Sequence, residues 1–327
     1  MHGIEKTGRR RSRGPRTRPL GCLLVLVFVA TAALSGCATF ERAGFAWNLL
    51  RAMRAGERFR ENHENAALDI SFTPLSDVAL DVYAPTAGDG HPVLIFVHGG
   101  GWDQYDKELF APIAMRLVPQ DVVVVIPDYT LYPDAGYRQM SREVAAAVAW
   151  TIEHVAEYGG DPSRITLSGH SAGGHLSGLV AFDDRWLADV GYRPSDLCGW
   201  IGMSGVYDID AQMAFERSGG SDAPVMTAVM GGEENFPAAS PISYVSTAAE
   251  IEITLVHGAE DEIVPLSITT SLADRLIDSG REVELLVYEE ADHVDFLFES
   301  LSDDDSQFLL DVIEAVRSCS PTARNTP

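Results

Sequence analysis

Basic residues and cysteines are scarce in this chain. Its 327 residues carry 24 lysines and arginines against 48 aspartates and glutamates, for a formal net charge of −24 at pH 7, and only four cysteines. An acidic surface of this kind repels phosphate backbones, so we expect no nucleic-acid partner. The length is sufficient for one large domain with a sizeable core.

The first 36 residues have the layout of a secretory signal. A basic stretch is followed by an apolar run, Leu20 to Leu34, that is short for a membrane span. The run ends in L-S-G-C, which resembles a bacterial lipobox. The resemblance implies that Cys37 is lipidated and becomes the mature N-terminus, with an uncleaved signal anchor as the alternative. We therefore predict export and a lipid anchor in the cell envelope, at the outer membrane because Ala38 and not aspartate follows the cysteine.

Two further cysteines, Cys198 and Cys319, belong to the mature chain. An exported compartment permits a disulfide between them, and two separately buried thiols remain equally open. Neither residue has a Cys-x-x-Cys or other metal-ligand spacing. We expect no metal and no cofactor.

Strand and helix patterns alternate along the remainder. Residues 40–66 have the helical spacing of an amphipathic cap or of a spacer to the anchor. Clear helical patterns cover Ser141–Tyr158 and Ile268–Asp278, and the long excursion 205–248 is a candidate lid. Predicted strands follow an antiparallel pair at 67–72 and 78–83 and are short and apolar on both faces: 92–97, 122–126, 165–167, 200–203, 251–256 and 283–288. Such an alternation predicts an α/β fold with a mostly parallel sheet.

The domain boundaries follow from these patterns. We assign 1–36 to the signal peptide and 37–66 to the anchor and helical cap. Residues 67–320 form the catalytic domain, and 321–327 form a flexible tail.

Ser171 is the predicted nucleophile. It lies in the run G-H-S-A-G, Gly169 to Gly173, after a strand pattern and before a helical one. Gly-x-Ser-x-Gly between a strand and a helix is the context of a nucleophile elbow. The flanking glycines leave room for the close approach of strand and helix, and the N-terminus of the helix favours developing negative charge.

A base and an orienting acid must activate this serine. In the elbow fold they follow in the order serine, acid, histidine, each in a loop after a later strand. His293 alone among the nine histidines follows the last predicted strand and is the predicted base. The loop predicted to carry the acid contains Glu260, Asp261 and Glu262. The chemistry of these three carboxylates gives little ground for choosing among them.

The run H-G-G-G-W, His98 to Trp102, is the predicted oxyanion loop. Three successive glycines let backbone N–H groups point at one spot without intervening side chains. The hole would combine the N–H groups of Gly100, Gly101 and Ala172. A phosphate-binding loop is the rival interpretation, but neither glycine spacing typical of such loops is present.

Several motifs resemble known esterases. The runs H-G-G-G-W, D-Y-x-L-x-P (128–133) and G-H-S-A-G-G resemble those of bacterial carboxylesterases related to hormone-sensitive lipase. The runs L-D-V-Y (80–83) and H-V-A-E-Y-G-G-D-P (154–162) look like those of prenylcysteine methylesterases. The resemblance covers about residues 66 to 318 and implies an α/β-hydrolase fold with helices on both sheet faces. Its pattern H-G-x-x-D-x-x-V-P implies Asp261 as the acid. His170 departs from the aspartate usual in the hormone-sensitive-lipase group.

These features predict a serine carboxylesterase acting on small-molecule esters by two-step acyl transfer. Short-chain acyl or methyl esters are the expected substrates. Prenylated proteins would be an odd substrate for an exported lipoprotein, so that activity is not carried over. The alternatives are an amide-cleaving relative (an arylformamidase or an exopeptidase) and a hydrolase-shaped binding protein without turnover.

Overall fold

An eight-stranded sheet is the frame of the protein in a computed structural model, which describes residues 53–247, 249–294, 297 and 306–320. The strands are β1 (Ala66–Ser71), β2 (Ala79–Tyr83), β3 (His91–Val97), β4 (Val123–Pro127), β5 (Gly160–His170), β6 (Gly199–Met203), β7 (Glu252–Gly258) and β8 (Glu284–Tyr288). Their order is β1-β2-β4-β3-β5-β6-β7-β8. The pairs β1–β2 and β2–β4 are antiparallel, and all other neighbours are parallel. The predicted antiparallel pair and mostly parallel sheet are confirmed.

Helices precede, connect and follow the strands of this sheet. In the described part of the chain they are α1 (53–62), α2 (Ala111–Leu117), α3 (Tyr137–His154), α4 (Ala172–Phe182), α5 (Asp184–Ala188), α6 (Ile209–Ser218), α7 (Pro224–Met230), α8 (Phe236–Ala239), α9 (Leu266–Asp278) and α10 (Gln307–Ser318). Helix α3 begins four residues before its predicted start because Tyr137 and Met140 extend its buried face. The predicted last turn, Val155–Tyr158, is a 3₁₀ turn.

Both faces of the sheet are covered by helices, as predicted. On β3 the side chains alternate between two cores, with Val93 and Ile95 in one and Leu94 and Phe96 in the other. The first core includes buried residues of α3, α4 and α9, and the second includes buried residues of α2 and α10. A strand buried on both faces needs apolar residues at every position, which explains the continuous apolar runs.

A disulfide joins Cys198 to Cys319 across 121 residues of sequence, with their Cα atoms 5.8 Å apart. It fastens the residue after α10 to the residue before β6. The guanidinium of Arg164, on β5, donates a hydrogen bond to the carbonyl oxygen of Arg317 at 2.7 Å and holds the same end of α10. The sequence left open whether these two cysteines form a disulfide or remain separate thiols, and the structure contains the disulfide.

Helix α1 lies within the segment predicted as a cap. Phe59 stacks on Tyr83 of β2 with ring centroids 5.7 Å apart, and Arg60 pairs with the buried Asp81 at 2.9 Å. Residues 40–52, the signal segment with Cys37, and the tail 321–327 lie outside the described residues, so the domain boundaries stay predictions. None of the described helices combines the length and apolar character needed to cross a membrane.

The excursion predicted as a candidate lid is largely helical. It carries α6, α7 and α8, followed by a 3₁₀ segment at Pro241–Thr247. Several of its apolar side chains, including Tyr207, Met230 and Phe236, are buried in the first core. This packing integrates much of the excursion into the body of the domain.

Candidate active site

Ser171 occupies the sharp turn between β5 and α4. Its backbone has φ 55° and ψ −120°, a conformation that L-residues rarely adopt and that costs on the order of 1–3 kcal/mol. The flanking glycines are sterically required: a Cβ on Gly169 would lie 2.3 Å from the Gly173 carbonyl oxygen, and one on Gly173 would lie 2.1 Å from that of Val97. The Ser171 N–H donates to Met203 O at 2.9 Å and fixes the turn against β6.

Three predicted side chains form a continuous hydrogen-bonded chain. His293 Nε2 lies 2.9 Å from Ser171 Oγ, and His293 Nδ1 lies 2.7 Å from Asp261 Oδ2. A carboxylate only accepts, so Nδ1 carries the proton and donates it to Asp261. Nε2 is then the acceptor for the serine hydroxyl. This arrangement can remove the serine proton during nucleophilic attack.

Asp261 is separated from its acidic neighbours by burial. Its side chain is enclosed, whereas Glu260 and Glu262 are exposed. The N–H groups of Ile263 and Val264 donate to its Oδ1 at 2.9 and 2.8 Å, which fixes the carboxylate. The structure therefore brings to His293 the one acid that the family pattern favoured.

A second histidine, His257, holds the same carboxylate. Its Nε2 lies 3.2 Å from Asp261 Oδ2 and 2.9 Å from the Val264 carbonyl oxygen, and its Nδ1 lies 2.7 Å from the Thr269 hydroxyl. Burial acts to raise the pKa of Asp261, but hydrogen bonds from His257 and His293 outweigh it and hold the pKa well below its usual range. The carboxylate is ionised and ready to stabilise an imidazolium at His293. The spacing of four residues between His257 and Asp261 is the sequence signal that could have identified His257.

The predicted oxyanion loop passes beside the nucleophile. A Cβ on Gly99 would lie 3.2 Å from Ser171 Cβ, and Gly100 and Gly101 have φ values of 122° and 58°, which favour glycine. Within the described residues, no group accepts a hydrogen bond from the N–H of Gly100 or Gly101. Ala172 is the first residue of α4. The loop thus keeps N–H groups available close to the serine, as an oxyanion hole requires.

Aromatic and imidazole rings support this loop. His98 stacks on Tyr129 with centroids 4.5 Å apart, and the Tyr129 hydroxyl donates to His98 O at 3.1 Å. Trp102 Nε1 donates to His175 Nδ1 at 3.2 Å, and His175 Nε2 lies 2.7 Å from Ala239 O. Burial lowers the pKa of both His98 and His175 to about 4, so both rings are neutral near pH 7. These contacts give His98, Trp102 and His175 a supporting role in shaping the oxyanion loop.

An ion cluster centred on the buried side chain of Lys107 holds the chain segment that follows the oxyanion loop. Asp128 Oδ1 accepts from the Lys107 N–H at 2.7 Å, and Lys107 Nζ lies 2.8 Å from Asp69 and 3.5 Å from Asp81. Burial raises the pKa of Asp128 to about 6 despite the opposing charge of Lys107. Because Tyr129 follows Asp128 directly, the segment after β4 contacts both His98, at the start of the oxyanion loop, and Lys107, five residues beyond its end. Sequence spacing does not reveal this cluster, since its members come from four separate elements.

The BD-FAE family model matches residues 80–276, a stretch that contains the elbow, the oxyanion loop and the acid. This chain belongs to the BD-FAE family. The match ends before His293, whose position follows from the hydrogen bonds described above.

This BD-FAE member is similar to several esterases. It is 27% identical to isoprenylcysteine alpha-carbonyl methylesterase ICME of Arabidopsis thaliana over 252 residues, which cover 73% of this chain and 59% of the relative. It is 33% identical to esterase LipQ of Mycobacterium tuberculosis over 205 residues, 58% of this chain and 46% of the relative. The chain thus matches about half of the length of these relatives.

Solved structures share the fold. A butyrate-bound thermophilic esterase of Thermogutta terrifontis, Est2, superposes with a TM-score of 0.62 at 21% identity, covering 80% of this chain and 96% of that one. The chain therefore has the α/β-hydrolase fold predicted from its motifs. At this identity the likeness concerns the fold alone.

Proposed function

We propose that this protein is a serine carboxylesterase that hydrolyses small carboxylic esters through Ser171, His293 and Asp261. The observation that carries the proposal is the hydrogen-bonded chain from Ser171 Oγ through His293 to Asp261, at 2.9 and 2.7 Å. The relatives named as esterases and carboxylesterases support the reaction class.

The geometry supports a two-step acyl transfer. His293 Nε2 takes the hydroxyl proton as Ser171 Oγ attacks the ester carbonyl, and Asp261 stabilises the resulting imidazolium. His293 then gives the proton to the leaving alcohol. Water, deprotonated by the same nitrogen, attacks the acyl-enzyme carbonyl. The bond to Ser171 Oγ then breaks as His293 returns the proton to it, which releases the acid and the free hydroxyl of Ser171.

The oxyanion forms beside the glycine loop in both steps. We propose that the N–H groups of Gly100, Gly101 and Ala172 bind it. Each such donor typically contributes on the order of 3 kcal/mol to transition-state stabilisation. The N-terminus of α4 adds a favourable dipole at the same point.

We propose that the acyl group of the ester substrate is a short chain. The Thermogutta esterase has been crystallised with butyrate and with propionate, which supports this size class. We do not extend the ICME substrate to this chain, because a prenylated protein does not fit the predicted export.

An ester panel with varied acyl and alcohol groups tests the proposal. We expect turnover of short-chain esters, and Ser171→Ala is expected to lose it by several orders of magnitude. Paired ester and amide substrates test the alternative reaction: faster amide turnover would make the protein an amidase. A protein that turns over neither substrate class would instead fit a binding function.

We further propose that the mature protein is anchored to the cell envelope by a lipid on Cys37. The motif L-S-G-C and the preceding apolar run support this location. The disulfide between Cys198 and Cys319 fits an oxidising, exported compartment. Cys37→Ser should block maturation or release the protein from the membrane fraction. Unchanged processing and membrane retention would instead indicate a signal anchor.

A further inference from the structure

His170 ends β5 directly before the nucleophile, yet its side chain reaches the loop that carries the base. Its Nε2 lies 2.8 Å from the main-chain carbonyl oxygen of His293, and the two imidazole rings lie 4.8 Å apart between centroids. The side chain therefore connects two parts of the active site that are 123 residues apart in sequence.

The oxyanion loop packs against the same ring. A Cβ on Gly99 would lie only 2.9 Å from His170 Nδ1, so Gly99 packs closely against the imidazole. One buried ring thus touches the nucleophile elbow, the base loop and the oxyanion loop. A displacement of His170 would move all three relative to one another.

The partner of Nε2 defines the state of this ring. A carbonyl oxygen only accepts, so His170 Nε2 carries a proton and donates it. Burial lowers the pKa of His170 to about 3, with the charge on His293 as a further cause. The titratable groups that face the ring are His293, Asp261 and His257. His170 is thus a neutral donor beside an imidazole that must itself become cationic during the reaction.

We propose that His170 is a positioning residue whose Nε2–H holds the main chain of His293 where the His293 ring meets Ser171. The proposal rests on the proposed function, because its effect on turnover requires a working triad. A bond to the backbone fixes the base loop without competing for either ring nitrogen of His293. The aspartate usual at this position in the hormone-sensitive-lipase group has an ionised carboxylate, which cannot donate this bond.

The rival role is simple space filling by a buried ring. The two roles differ in what a substitution must preserve: the donor for positioning, and only the volume for filling. His170→Leu removes the donor and keeps an apolar side chain in the core. His170→Gln keeps an amide N–H that can reach a similar position. His91→Leu is the matched control, because His91 Nε2 also contacts a backbone carbonyl, that of Ala87 at 3.0 Å, at the opposite end of β3.

Kinetics on one short-chain ester separates the two roles. For His170→Leu we expect kcat to fall by about 10- to 100-fold with little change in KM, since a small misplacement of the base affects the transition state most. His170→Gln should recover most of this loss, and His91→Leu should keep the wild-type kcat. Thermal melts of all three variants establish that they are folded.

A spectroscopic measurement tests the positioning without turnover. In a Ser171→Ala background, the proton of His293 Nδ1 in its bond to Asp261 should give a low-field ¹H NMR signal. We expect His170→Leu to broaden or shift this signal and His170→Gln to retain it. If the wild-type protein hydrolyses no ester, the proposed function fails, while this signal still reports on His170.

Two results would overturn the role of His170. One is a folded His170→Leu variant with wild-type kcat and an unchanged low-field signal. The other is an equal loss of kcat in His170→Leu and His170→Gln, which would mean that the shape of the ring matters and the donor does not.

Discussion

Replacing Asp261 with asparagine tests whether the triad needs the negative charge of this carboxylate. Four donors converge on this carboxylate: the N–H groups of Ile263 and Val264 on Oδ1, and rings of His257 and His293 on Oδ2. An asparagine keeps the shape but turns one acceptor into a donor. Whichever way the amide is oriented, its NH₂ faces two of these donors.

The two orientations differ in free energy. With the NH₂ toward the backbone, the buried N–H of Val264 and the partly buried N–H of Ile263 lose their acceptor, which costs about 1–3 kcal/mol for the buried group. With the NH₂ toward His293, the imidazole can instead take the other tautomer, which avoids that penalty. The protonated Nε2 then cannot accept the proton of Ser171. We therefore expect Asp261→Asn to fold and to lose about 10⁴-fold in kcat, equivalent to about 5 kcal/mol.

The assay is steady-state hydrolysis of a short-chain ester, with Glu262→Gln as the control. Glu262 is an exposed carboxylate one residue away, so its neutralisation should leave kcat unchanged. Near wild-type kcat in Asp261→Asn, or an equal loss in Glu262→Gln, would refute the assignment of the acid.

The same substitution has a consequence for stability against pH. The folded-state pKa of Asp261 lies well below its ordinary value of 3.8, so the carboxylate contributes stability above about pH 4 that is lost as the pH falls further. Denaturant titrations at pH values between 2 and 6 give the free energy of unfolding as a function of pH. In Asp261→Asn the slope of this free energy against pH should be smaller than in the wild type. An unchanged slope would mean that Asp261 is not held by these bonds.

Two further substitutions test the elbow and the disulfide. Gly173→Ala should abolish activity or folding, because its Cβ would meet the Val97 carbonyl oxygen at 2.1 Å; an active, soluble variant would contradict the tight approach of strand and helix. The double change Cys198→Ser and Cys319→Ser should lower the free energy of unfolding by up to about 4–5 kcal/mol, the amount expected for closing a loop of 121 residues. Equal denaturation midpoints for the variant and the oxidised wild type would contradict the stabilising role of the bond.

The layout of the sheet was predictable because its signals are local. Apolar runs bounded by glycine, proline and charge placed all eight strands, and the elbow was placed by five residues between a strand and a helix. The chain order of serine, acid and histidine then singled out His293. The predicted elements differ from the structure at their ends: β5 begins five residues before its predicted start, and α3 begins four residues early, where burial of Tyr137 decides the start. Helices such as α2 and α10 were not individually predicted.

Other features depend on contacts that chain order does not encode. Whether Cys198 meets Cys319 depends on where α10 ends relative to β6. Asp261 differs from Glu260 and Glu262 chiefly by burial, which motif resemblance anticipated and composition could not. The bonds of His170 and His257 to the triad arise only when three loops converge at the C-terminal edge of the sheet.

Stoichiometric labelling with a phosphonate inhibitor tests the central claim most directly. We predict one adduct per chain, located on Ser171 by peptide mass spectrometry, with ester hydrolysis lost in proportion to labelling and no adduct in Ser171→Ala. Ester hydrolysis that persists in the fully labelled protein, or an adduct on a different residue that abolishes it, would contradict Ser171 as the nucleophile.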